Sequence, residues 1–248
     1  MTLSVATVGA SIRPLWLPSS LGGNLILWLD ADEASTLTTS SGAVSQWNDR
    51  SSSVRHMKQT DATRRPSTST FSGTSRGSVL FDGTSDYLTG GTSGLTIPLC
   101  VLAAIDYASF TSSPYLICTG NNRMVVQALS TGPWRMFNAV SMDRGARTTD
   151  PVVLACLFNS TSSELWVNGT KQGATGNTGT GNPSLATLLY LGAAYNNTSY
   201  SNADVGEVLV VSGAIATADR EKAEGYLAWK WGMQANLPSA HPYKTSAP

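Results

Sequence analysis

The sequence predicts an all-β chain: a two-sheet antiparallel jelly-roll sandwich with an extended N-terminal arm and one C-terminal helix. Three observations predict it. About eleven runs of strand length follow one another, each bounded by Gly, Pro, Asn or Ser, with no helical period between them. In ELWVNGTKQG, Leu165 and Val167 alternate with Trp166 up to Asn168-Gly169, the dipeptide that fills both positive-φ positions of a two-residue turn, so 163–175 reads as a hairpin. Only from Thr217 does the period change, with Ala223, Leu227 and Trp231 falling on one helical face. Strands without intervening helices bury their apolar faces by closing sheet on sheet.

Residues 1–23 form the arm, punctuated by Pro14 and Pro18 and ending in a hinge-like SSLGG. It carries Val5, Val8, Ile12, Leu15, Trp16 and Leu17 around a single charge, Arg13. Such an apolar strip calls for a partner surface. Ile12, Leu15, Trp16 and Leu17 are therefore the candidate assembly residues, anchoring the chain to a neighbouring subunit; the alternative is an extra edge strand across its own sandwich.

The sandwich spans 24–213, with runs at 24–30, 44–49, 78–83, 97–107, 115–120, 123–129, 134–140, 151–159, 163–173, 185–193 and 206–213. Residues 214–248 are the helix and an extended tail packed on the sandwich. Thr217 is the expected hydroxyl N-cap, Asp219 and Glu221 suit the first turns, and Gly232 is the stop. A helix of about 15 residues is marginal alone, so Trp231 is expected to anchor it in the core. Trp229 lies about 200° round the helix and should cover a loop or face a partner.

Only 13% of residues are charged and the formal net charge is zero, which excludes an electrostatic nucleic-acid footprint. No apolar run reaches the length that would span a bilayer as a helix, so no membrane partner is expected. The N-terminal segment lacks the basic and apolar regions of a secretory signal. Cys100, Cys118 and Cys156 sit in apolar strands with no CxxC spacing and read as buried free thiols.

Candidate chemistry is sparse. Asp30 and Asp32 would share one side of a continuing strand, the nearest approach to the paired carboxylates of a glycoside hydrolase. DADEAS reads instead as a strand end turning into a polar loop, whose aspartates cap backbone N–H groups. Gly73-Thr74-Ser75-Arg76-Gly77 spells GxSxG, but its strand follows the motif instead of preceding it. His56 and His241 are the only histidines, too few for a three-histidine metal site. No catalytic residue is assigned, and the chain is expected to be no enzyme and to need no cofactor. Calcium is the one ion whose oxygen ligands are at hand, from Asp82 and Asp86 in FDGTSDY or from Asp204 beyond AYNNTSY. Trp134, Tyr195 and Tyr200 are candidate stacking faces for a carbohydrate, with Asn196 and Asn197 as polar partners.

LWLDADEASTL followed by VSQWNDRSS, then His56, Arg65-Pro66, VLFDGTSDYL, LWVNG and GEVLVVSGAIATADREKAEGYLAWKWG with LP and HPY, resembles the laminin-G-like, concanavalin A-like lectin/glucanase jelly-roll domains of bacterial and bacteriophage proteins. The resemblance runs from about residue 24 to the last residue. It implies a two-sheet jelly roll with a concave face where relatives bind glycans, sometimes with calcium at one rim. Glucanases of this fold carry an ExDxxE strand run, absent here, where Glu164 and Glu207 are solitary on their strands. Ala216 stands where relatives often place a capping Ser. Two functional classes are then expected. The first is a non-enzymatic bacteriophage virion structural protein (a decoration, fibre or tail component), made in the host cytoplasm and oligomeric in its assembly. Its arm would hold it to other virion proteins, and its domain would face cell-surface glycan. The second is a bacterial glycan-binding protein or glycan hydrolase of the same fold.

Overall fold

The structure, a computed structural model, describes residues 16–248. Of the candidate assembly residues, Ile12 and Leu15 lie outside the described residues. Among the described residues the strands are β1 (Leu25–Asp30), β2 (Leu37–Ser40), β3 (Ala43–Trp47), β4 (Met57–Lys58), β5 (Ser67–Thr70), β6 (Gly77–Asp82), β7 (Leu88–Gly91), β8 (Leu99–Ser109) and β9 (Tyr115–Thr119). They continue with β10 (Val125–Ala128), β11 (Pro133–Phe137), β12 (Ser141–Ala146), β13 (Val152–Phe158), β14 (Glu164–Val167), β15 (Thr170–Lys171), β16 (Leu188–Leu191) and β17 (Asn202–Ser212). The helix α1 (Thr217–Lys230) follows.

Every pairing between these strands is antiparallel. One sheet runs β17, β8, β13, β14, β15, with β6 and β1 sharing the other edge of β17. The second runs β2, β3, β4, β7, β16, β9, β10, β11, β12. Strand β5 joins them at one corner, pairing along β6 and touching β3 at Ala43–Ser67. The fold is thus an all-β antiparallel sandwich closed by one C-terminal helix.

The long strands β8, β13 and β17 are apolar at nearly every position because the first sheet is covered on both faces. Val101, Ala103, Ile105, Val152, Leu154, Val208 and Val210 face the second sheet, packing with Leu191, Ile117, Val126, Trp134 and Met136. The alternate residues Cys100, Leu102, Ala104, Val153, Ala155, Leu209 and Val211 face outward onto Ala223, Tyr226, Leu227 and Trp231. The helix is therefore a third layer, and Trp231 is its buried anchor. All three cysteines are buried free thiols.

The N-cap falls one residue earlier than expected. Ala216 is the extended residue before the helix and its carbonyl accepts from the N–H groups of Asp219 and Arg220, so Thr217 is already helical and caps nothing. At the other end Gly232, at φ +74°, takes the left-handed turn that stops the helix. The Asn168-Gly169 hairpin forms between β14 and β15, with both residues at positive φ.

Pro18–Asn24 is a 3-10 turn, where the sequence suggested a hinge. Trp16 packs edge-on against Tyr226 with ring centroids 5.8 Å apart, while Leu17 is exposed. The tail is tied to the helix on another side. Glu224, fully buried, accepts from Arg220 at 2.5 Å and lies 3.4 Å from His241 Nε2. Arg220 also covers the Trp166 ring at 4.3 Å. Among the described residues no helix is long and apolar enough to cross a membrane.

Candidate functional site

The outer face of the second sheet carries a run of tyrosines. Alternation along β16 sends Leu189 and Leu191 into the core and leaves Tyr190 outside, half-buried. Tyr190 pairs across to Thr89 of β7 and Cys118 of β9. Its ring lies 6.0 Å from that of Tyr87, tilted by 31°, and the Arg64 guanidinium stands 5.9 Å from the Tyr87 ring centre. Further along, Tyr115 stands opposite Gln127, Gln127 opposite Arg135 and Arg135 opposite Asp143. Arg135 donates from Nε and Nη2 to both oxygens of Asp143, each at 2.7 Å. Partial burial raises the phenol pKa values of both Tyr115 and Tyr190, with neighbouring Tyr87 adding to the rise at Tyr190.

The loop after β16 extends this face. Its turn is closed by Asn197 N–H to the Ala194 carbonyl and Ala194 N–H to the Thr198 carbonyl. Tyr195, Asn196 and Asn197 are exposed on it, and Tyr200 is half-buried. Asn196 Oδ1 accepts from the Thr198 hydroxyl, and Tyr115 N–H donates to the Ser199 carbonyl, which ties the loop to the tyrosine strand. Trp134 requires a correction. It is completely buried between the sheets, 5.8 Å from the Tyr107 ring, so it presents no stacking face. In WRMFNAV the inward set is Trp134 and Met136, and the outward set is Arg135 and Phe137. Tyr87, Tyr115 and Tyr190 were missed. The available signal was the single tyrosine in TLLYLGA, out of phase with Leu189 and Leu191.

Of the aspartates considered for calcium, Asp82 and Asp86 lie side by side in one turn, while Asp204 is engaged separately on β17. Asp82 caps its own turn, accepting from the N–H groups of Thr84 (2.8 Å), Ser85 (2.9 Å) and Asp86 (3.1 Å) as well as the Thr84 hydroxyl. Asp86 accepts from Asp82 N–H at 3.2 Å, whereas Asp204 accepts from the Ser78 hydroxyl. No group of three His, Cys, Asp or Glu that could hold a metal ion occurs among the described residues. Burial and the Asp82 charge push Asp86 up to about 6. At Asp82 burial pulls upward, but the four capping hydrogen bonds prevail and hold it at about 2.

A paired carboxylate does exist, though not the one that adjacency suggested. Asp30 and Asp32 part company: Asp32 takes the Arg76 guanidinium and Gly77 N–H. Asp30 instead stands directly across from Glu207 in the β1–β17 register. Lys230, from the last turn of α1, bridges them, at 2.6 Å from Asp30 Oδ1 and 2.8 Å from Glu207 Oε2. Arg50 donates to the other Asp30 oxygen while its guanidinium covers the Trp28 ring at 4.0 Å. Glu207 also accepts from Trp28 Nε1 (2.7 Å), Tyr226 OH (3.1 Å) and Trp231 Nε1 (3.0 Å). Each of its oxygens therefore has two donors. Burial raises its pKa, against the opposing pull of Lys230. A carboxylate so fully engaged serves as a clasp between helix and sheet.

Beside the clasp lies a cavity of about 420 Å³ walled by Trp28, Tyr226 and Trp229, with Asp30 and Lys230 within it and Arg50 and Arg76 also lining it. The sequence could not place these groups together. Their strands and helix are separated by up to 200 positions.

No known protein family matches the chain, and no curated protein matches it. Solved structures do match. Trypanosoma rangeli sialidase superposes with a TM-score of 0.59 at 12% identity, over 84% of this chain and 33% of that one. Domain 4 of AbnA, a GH43 extracellular arabinanase from Geobacillus stearothermophilus, in complex with arabinotriose, matches with a TM-score of 0.54 at 10% identity, over 79% of this chain and 95% of that one. The binding domain of Paraclostridial Mosquitocidal Protein 1 matches with a TM-score of 0.57 at 10% identity, over 83% of this chain and 52% of that one. This chain thus spans about a third of the sialidase. At such identities the likeness is one of fold, a β-rich fold found in glycan-related proteins.

These neighbours overturn the expectation that the chain is no enzyme. The same fold occurs in a sialidase and in an arabinanase, and the missing ExDxxE run spoke to one catalytic arrangement alone. None of the three is described as a virion component.

Proposed function

We propose that this chain is a glycan-recognising domain, either binding glycan for a partner activity or acting on it, and that the outer face of the second sheet meets the sugar. The stacked pair of Tyr87 and Tyr190 on that face, with Tyr115 on the neighbouring strand and Tyr195 on the adjoining loop, carries the reading. Tyrosine rings offer flat apolar surface to the C–H faces of a pyranose or furanose. Arg135, Asp143, Asn196 and Asn197 supply donors and acceptors for the hydroxyls at fixed positions around them. The occurrence of this fold in an arabinanase domain complexed with arabinotriose supports the same class of ligand. A concanavalin A-like jelly roll is the finer architectural form of this proposal.

Calorimetric titration with a panel of neutral oligosaccharides, arabinotriose among them, tests it. At least one should bind. Tyr190→Ala should weaken that binding roughly twofold to tenfold, since one aromatic contact contributes about 0.5–1.5 kcal/mol. The substitution lies on a half-buried outer position, so thermal unfolding should shift little. A panel that binds nowhere, or a Tyr190→Ala protein that binds as the parent does, would reject the reading.

A further inference from the structure

We propose a second ligand site: the cavity beneath the C-terminal helix takes the carboxylate-bearing ring of an acidic sugar. It draws on the glycan reading only for the sugar body; its position and residues are separate from the tyrosine face. At about 420 Å³ the cavity falls within the size range of small-ligand pockets. Two of its walls are pinned by hydrogen bonds. The Trp28 indole is held by Glu207 at 2.7 Å, and the Trp229 indole donates to the Tyr243 carbonyl at 2.8 Å.

The charge arrangement selects the ligand. Arg50 and Arg76 both line the cavity, with side chains 33% and 42% exposed. Each engages one aspartate through Nη1, Arg50 with Asp30 and Arg76 with Asp32. Their Nε and Nη2 groups donate to no acceptor among the described residues. A guanidinium presents its donors as a planar fork that matches a carboxylate with two parallel hydrogen bonds. A third cation, the Lys230 ammonium, sits deeper with Asp30 and Glu207. A neutral sugar would leave the two half-used forks to water, while a sugar carboxylate would engage one or both. Its ring would then lie against Trp229 and Tyr226, the apolar part of the wall. Asp30, 2% exposed and bonded at both oxygens, has acceptor capacity left for a ring hydroxyl.

Tryptophan fluorescence of the full chain reads the site directly, because Trp28 and Trp229 wall it. Glucuronate should give a saturable change, with glucose and acetate giving none over the same concentrations. Arg76→Gln should weaken glucuronate about tenfold, with Arg76→Lys recovering part of the loss, and added salt should weaken it further. Unfolding curves of both variants establish that the fold is retained. Tyr190→Ala separates the two sites: loss of neutral-glycan binding with glucuronate binding kept places the acid in the cavity. The proposal is overturned if glucuronate gives no change, if glucose or acetate matches it, if Arg76→Gln titrates as the parent, or if Tyr190→Ala abolishes the response.

Discussion

Replacing Glu207 by Gln changes almost no volume but removes the negative charge that four donors share. In the parent, Lys230 has two carboxylates within 2.8 Å, Glu207 and Asp30, and Asp30 must also answer Arg50. After the change two cations are left with Asp30, one charge short, at a site where Asp30 is 2% exposed. The amide can accept from one pair of donors, Trp28 and Tyr226 or Trp231 and Lys230. Its own N–H groups then face the other pair. Breaking a buried ion pair from one side costs about 3–5 kcal/mol, a large part of a typical domain stability of about 5–15 kcal/mol. Urea unfolding followed by fluorescence should show a lower midpoint at unchanged slope. Glu207→Gln combined with Lys230→Met should recover part of the loss, since the uncompensated charge goes with its partner. A single variant within about 1 kcal/mol of the parent would refute the clasp, as would strict additivity in the double.

Trp231→Ala should cost about 3–5 kcal/mol. The ring is 1% exposed, 5.0 Å from Phe71, and so close over Gly206 that a side-chain carbon there would meet it at 2.8 Å. An unchanged melting temperature would contradict that packing. Asp86 predicts a pH effect of defined sign. Its folded value of about 6 lies above the ordinary 3.8, so the folded chain holds this proton more tightly, and the stabilisation is full below about pH 4 and lost as pH rises through about 6. Asp86→Asn should therefore flatten the stability profile between those limits by roughly 1–3 kcal/mol, read as urea midpoints across the range. Parallel profiles for parent and variant would show that the carboxyl titrates normally.

Local chemistry alone determined much of this protein. The alternating and continuous apolar runs marked the strands of both sheets, Asn168-Gly169 specified its hairpin through two positive-φ positions, and the change of period at Thr217 announced the helix and its anchor Trp231. Those features depend on neighbours a few residues away. Strands β2, β4, β5, β7 and β12 were not legible, because they are short or polar and pair only where another strand presents an edge. Alternation separated Trp134 from Arg135 without saying which faced the core, and sheet closure decided that Trp134 did. Glu207 looked solitary along its strand, yet antiparallel register set it against Asp30 and the helix delivered Lys230 to both. The Tyr87–Tyr190 pair arose in the same way, from distant residues brought together where β7 pairs with β16. Register and closure sum contacts over the whole chain, so they exist only once the sheets have packed.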